Sequence, residues 1–204
     1  MSNTQAMTYR RVGMVLQEIG MVSEEKVRSV LKEAEEFADE EMEHHEAADA
    51  LEEFGAAVSV HADGIDSIHY AYADLLTDAT AVAGDRVTIT DVRLVEGEGE
   101  LANGRFDTLE FRRNGKPVSI SAEHFADDHF SLETACQAVL ATADEDDPRS
   151  WCEVGFERKQ YAGGDTVLVL ATPEQAAALQ EHLGFTFPHG VRRRRVRVEA
   201  AGEG

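Results

Sequence analysis

Residues 106–123, FDTLEFRRNGKPVSISAE, decide the fold. Two runs, 106–113 and 116–123, flank Asn114-Gly115. An Asn-Gly pair between such runs is the strongest short signal of a β-hairpin, because both turn positions need a positive φ. On the N-terminal side, residues 86–94 alternate, with Val87, Ile89 and Val92 apolar, and predict another strand. The stretch EGEGELANG, 96–104, reads as the loop between that strand and the hairpin. On the C-terminal side, Ser131 caps a helix running to about Thr142 with Leu132, Ala135, Val139 and Leu140 on its apolar side. Residues 151–158 predict a strand, Gly163-Gly164 a turn, and the almost wholly apolar 166–171 a strand central in its sheet. Thr172-Pro173-Glu174-Gln175 opens the last helix: threonine is the N-cap, proline the first helical residue, and Gln175 closes a capping box. Gly184 ends it, and the basic run VRRRRVRV, 191–198, follows as an edge strand or arm.

Ahead of the strands the pattern is helical. Val12, Val15, Leu16 and Ile19 predict a helix over 8–20, stopped by Gly20. Ser23 caps a second, long helix reaching Phe54, with a break or solvated stretch near 39–46, where Met42 is the lone apolar residue from 39 to 46. Residues 56–61 read as a short strand or connector, and Asp66 or Ser67 caps a helix ending at Gly84. Helices first, then β-β-β-α-β-β-α, specify an α+β fold: a mainly antiparallel sheet with helices on one face. The domain reading is an acidic helical region 1–55, an α+β domain 65–198 and a tail 199–204.

The 204 residues carry a formal charge of -21, and the four lysines stand against fifteen arginines. Such a surface repels nucleic acid and anionic membranes. It steers a basic protein partner, and adaptation to a salty habitat is the competing explanation of the same acidity. Residues 23–53 hold thirteen acids and three bases. Nothing in the first residues resembles a signal peptide and no segment is apolar enough to span a membrane, so the expected location is the cytoplasm. Cys136 and Cys152 have neither zinc-knuckle nor CxxC spacing and read as free thiols.

No nucleophile elbow, phosphate loop or dinucleotide fingerprint occurs, so no catalytic residue, metal site or cofactor is assigned. Glu41-Met42-Glu43-His44 has the E-x-x-H spacing of di-iron bundles, but a second copy on another helix is lacking. His124 and His129 flank Asp127 and Asp128, and with His44 and His45 they are the candidate ligands if the chain is a metal-dependent enzyme.

Two resemblances add to this. Arg11, Val12, Gly13, Leu16, Gly20, Val22, Val27 and Leu31 resemble a helical repeat at the N-terminus of type II secretion and type IV pilus assembly ATPases. Ala34 stands where that pattern closes with Gln, and no tandem copy follows. The resemblance implies a cyclic-dinucleotide sensor using Arg11, Gly13 and Gly20. Residues 65–187 resemble small α+β domains among bacterial polymorphic-toxin immunity proteins, through the helix before Gly84, the Asn114-Gly115 hairpin, the Gly163-Gly164 turn and the Thr172-to-Gly184 helix. Of the aromatics common in that family at 123–130, this chain keeps Phe125 and Phe130. That resemblance implies a protein that blocks a toxin by surface complementarity. The leading expectation is therefore a non-catalytic binding or inhibitor protein engaging a basic partner. Its expected contacts are Glu36, Asp39, Glu40 and Glu43 on the long helix, together with Asp127 and Asp128.

Overall fold

The computed structural model describes residues 6–62, 64–84, 86–129, 131–157 and 165–188. The basic run Arg192–Arg195, the Gly163-Gly164 turn, Phe130 and the 199–204 tail lie outside them. The fold is α+β, with two three-stranded sheets among the described residues and two compact units. Among the described residues, one unit comprises 6–59, 148–157 and 167–188, and the other 60–147 with 165–166.

The first unit contains α1 (Tyr9–Glu18), α2 (Glu24–Glu33), α3 (His44–Glu53) and α6 (Pro173–Leu183). Its sheet joins β1 (Ala57–His61), β6 (Asp165–Ala171) and β5 (Ser150–Glu153) in the order β1-β6-β5. The β5 and β6 strands are antiparallel. Residue 56 lies against 170 and residue 61 against 165, so β1 is antiparallel to β6 as well. The central place of β6 explains its sequence: Val167, Val169 and Ala171 join the helical core, and Leu168 and Leu170 are buried too. As the sequence predicts, α6 opens with the Thr172/Gln175 capping box and closes at Gly184 in the left-handed region.

The long helix expected over 23–54, with a break near 39–46, is two helices, and the break falls earlier, at 34–43. Residues 34–43 leave the helix and lie along the start of the chain: Arg10 N–H donates to the Ala38 carbonyl, Met42 N–H to the Met7 carbonyl, and Thr8 bridges to Glu41. A continuous helix would stack Glu36, Asp39, Glu40 and Glu43 at i, i+3, i+4 and i+7, where like charges repel. Instead Glu43 becomes the N-cap of α3, its N–H donating to the Glu46 carboxylate at 2.6 Å. The four acids thus sit on a connector and at a cap, not along one helix. The E-x-x-H reading falls with the helix, since Glu41 precedes the first turn of α3.

The second unit contains α4 (Ile68–Ala83), β2 (Ile89–Val95), β3 (Arg105–Arg113), β4 (Lys116–His124) and α5 (Leu132–Leu140). The sheet order is β2-β3-β4, all antiparallel. Asn114 and Gly115 both take positive φ, 50° and 76°, as the hairpin requires. In β2 the register slips by one, so Asp91 and Val92 together face Phe111. Asp91 adopts φ 57° there. This bulge turns Leu94 toward Leu109 on the inner face and sets Arg93 opposite Glu110 on the outer face.

Candidate functional site

The hairpin has two unlike faces. Leu109, Phe111, Val118, Ile120 and Ala122 are buried, so the period of two sends Arg105, Asp107 and His124 inward with them, and Phe106 and Glu123 outward. The inner face carries α4 and α5: Tyr72 of α4 meets His124, and the Thr134 hydroxyl of α5 donates to the Ser121 carbonyl.

Three charged or titratable groups are thereby buried together. Asp107 accepts from Arg105 at 2.7 and 3.1 Å, from Gly97 N–H at 2.9 Å and from His124 Nδ1 at 2.8 Å. Burial alone would raise its pKa, but the hydrogen bonds from Arg105, Gly97 and His124 and the charge of Arg105 outweigh it and hold the carboxyl below its ordinary 3.8. An ionised Asp107 can only accept, so His124 donates from Nδ1, and its Nε2 is hydrogen-bonded to the Tyr72 hydroxyl at 3.0 Å. Burial first, then the charge of Asp107, pushes the Tyr72 phenol above its ordinary range. The order carboxylate, imidazole, hydroxyl mimics a nucleophilic relay, yet Asp107 and His124 are 1% exposed and Tyr72 is 0% exposed. No substrate reaches it. The network is a scaffold.

What the scaffold holds is the loop after β2. Gly97 N–H is tied to Asp107, while Glu96 pairs with Arg105 at 3.3 Å and with His69 at 3.1 Å. A Cβ on Gly97 would collide with the Phe106 carbonyl oxygen. Gly97→Ala should therefore push this loop off the sheet and lower the unit's stability by about 2–3 kcal/mol, measured as a shift in denaturant midpoint. A midpoint within error of wild type would show that the backbones are not in contact.

Among the described residues nothing covers the outer face. Phe106 is 62% exposed and faces Glu123 across the β3–β4 ladder. Phe125, 61% exposed, lies over Gly104: its ring and the Glu123 carboxylate stand 3.0 and 3.3 Å from where a Gly104 Cβ would be. Phe106 and Glu123 are thus directly opposed across the ladder, and Phe125, two residues after Glu123, shares with its carboxylate the space beside Gly104. Val95, 42% exposed, continues the apolar strip. Exposed Glu98, Glu100 and Glu123 have no cation partner among the described residues, and Asp127 and Asp128 lie on the turn after Phe125. Hydrogen bonding from His129 keeps the Asp128 carboxyl below its ordinary range. The other end of the face is self-neutralised: Arg93 pairs with Glu110 and Arg112 with Asp91 around an open groove of about 600 Å³.

The remaining sequence candidates have local duties. Arg11 donates to the His182 carbonyl (2.6 Å) near the C-terminus of α6 and to the Ala6 carbonyl. Gly13 packs under Phe54, whose ring carbons would be 2.7 Å from a Cβ, and Gly20 makes the left-handed turn between α1 and α2. His44 stacks on Phe185 and bridges the Leu183 carbonyl and the Glu157 N–H. His45 pairs with Glu43. Asp39 is held by Arg10 through two bonds of 2.7 and 2.8 Å, while Glu36 and Glu40 are exposed. Among the described residues no three metal-ligating side chains converge, and no helix is long and apolar enough to cross a membrane.

Two phenols provide a check on packing. Tyr9, hydrogen-bonded to Glu53 and in tilted contact with Phe54, and Tyr72 both have pKa values raised above the ordinary 10.0, chiefly by burial. A raised folded pKa leaves stability intact below pH 10.0 and erodes it as pH rises beyond. Phenolate absorbance from these two rings should emerge only with alkaline unfolding. Tyr9→Phe and Tyr72→Phe should leave the absorbance rise that precedes unfolding unchanged, and a smaller early rise in either variant would contradict the burial.

No protein-family model, curated protein or solved structure matches the chain.

Proposed function

We propose that this is a non-catalytic binding protein of the inhibitor or immunity type, which engages a basic protein partner through the acid-fringed end of the β2-β3-β4 sheet. One observation carries the reading: two phenylalanines, each more than half exposed, lie next to a carboxylate on a sheet face that no helix covers among the described residues. An isolated exposed phenylalanine is ordinary, but adjacent ones ringed by charge are what interfaces use. The surrounding acids select the sign of the partner, and the net charge of -21 steers it at long range. The acids at Glu36, Asp39, Glu40 and Glu43 add to that steering.

Capture from a native lysate tests this with wild type and the double variant Phe106→Ser, Phe125→Ser in parallel. Wild type should retain a basic protein that elutes with salt, and the variant should lose at least about tenfold of it. Equal retention by both would remove this face from the reading.

A further inference from the structure

Resting on that binding reading, we propose that the patch is an arginine clamp: the partner inserts an arginine side chain whose guanidinium stacks on Phe125 and Phe106 and pairs with Glu123. The occupant follows from the geometry. Glu123 is an exposed carboxylate with no cation partner among the described residues, Phe106 lies opposite it across the ladder, and the Phe125 ring shares with it the space over Gly104. Gly104, lacking a side chain, lets the Phe125 ring lie against the backbone, and the ring remains 61% exposed. A planar cation that stacks on an aromatic face and presents paired N–H donors at its edge satisfies both surfaces at once. Arginine does this, whereas the lysine ammonium is a compact, strongly hydrated point charge that offers no plane to stack. An apolar anchor alone would leave Glu123 facing an unpaired, dehydrated surface. Behind the clamp, the Arg105–Asp107–His124–Tyr72 network keeps the strands beneath it in register.

The test is titration of the full chain with a short capped peptide of alternating arginine and glycine, and with its lysine twin, at low salt, followed by calorimetry and by amide NMR shifts. The arginine peptide should bind about three- to tenfold more tightly than the lysine twin, with shifts centred on residues 104–106 and 123–125. Glu123→Gln and Phe125→Ala should each abolish that preference. Both positions are exposed, so denaturant midpoints near wild type keep the comparison valid. Equal affinity for the two peptides, untouched by the Phe125 variant, overturns the clamp but leaves the acidic-surface reading standing, since that is judged by capture of a partner. Binding that appears only after residues 189–204 are deleted would assign the clamp to the chain's own Arg192–Arg195 run and overturn the proposal. Concentration-dependent dimerisation abolished by Phe125→Ala would assign the patch to a second copy of the chain, which overturns the proposal equally.

Discussion

Asp107→Ala should lower stability by about 3–5 kcal/mol, because it removes the buried carboxylate of the largely buried Arg105 guanidinium and leaves it only the exposed Glu96 at 3.3 Å. The loss is more than that of one ion pair. Gly97 N–H and His124 Nδ1–H lose their acceptor in the same step, and each is an unsatisfied donor next to the core. Equilibrium unfolding in denaturant measures it. The double variant Arg105→Met, Asp107→Leu should recover part of the loss, since no charge then remains buried alone. Acid should reproduce the single variant's effect. Because the folded pKa of Asp107 is depressed, its contribution is present above the ordinary 3.8 and is lost as pH falls through the lower folded value. Asp107→Asn should flatten that acid limb. A cost below about 1 kcal/mol for Asp107→Ala would mean the network is hydrated rather than buried.

Phe54→Ala should cost a similar 3–5 kcal/mol, in the other unit. The ring is fully buried, meets Tyr9 at a tilted angle with ring centroids 5.1 Å apart and fills the space over Gly13, so its removal opens a cavity where α1, α2 and α3 meet. The same contact accounts for the glycine pattern at the N-terminus. Gly13 is glycine because a phenyl ring needs the room, and Gly20 because the turn is left-handed at φ 71°. Close approach of Phe54 and a left-handed turn account for both glycines of this helix–glycine–helix hairpin. A loss under about 1.5 kcal/mol would place Phe54 outside the core and remove packing as the account of Gly13.

Much of the fold was legible because local signals agreed. The Asn114-Gly115 turn, the Ser67, Ser131 and Thr172 caps and the Gly84 and Gly184 stops all form as their chemistry dictates. The break after α2 was harder to place. Acidic residues form helices well singly, and the repulsion among Glu36, Asp39, Glu40 and Glu43 is felt only when they are projected onto one helix face. The gathering of six strands into two sheets depends on long-range pairing that no local run encodes.

The buried network was more legible than it first looks. Leu109 and Phe111 mark the core face of β3, so parity alone puts Asp107 inside and Phe106 outside. Counting outward from the Asn-Gly turn pairs Arg105 with His124. What parity could not supply was the partner from α4, since Tyr72 reaches His124 through a helix packing that sequence spacing does not fix. Asp127 and Asp128 end beside the aromatic pair, while the acids of 36–43 belong to the other unit.

The most direct test of the binding reading is photocrosslinking in the native host with benzoylphenylalanine placed at Phe106, at Glu40 and at Met14, each exposed in the free protein. The account predicts one basic protein crosslinked from position 106 and absent from 14. The same adduct from position 40, with none from 106, would contradict it and move the interface to the acidic connector.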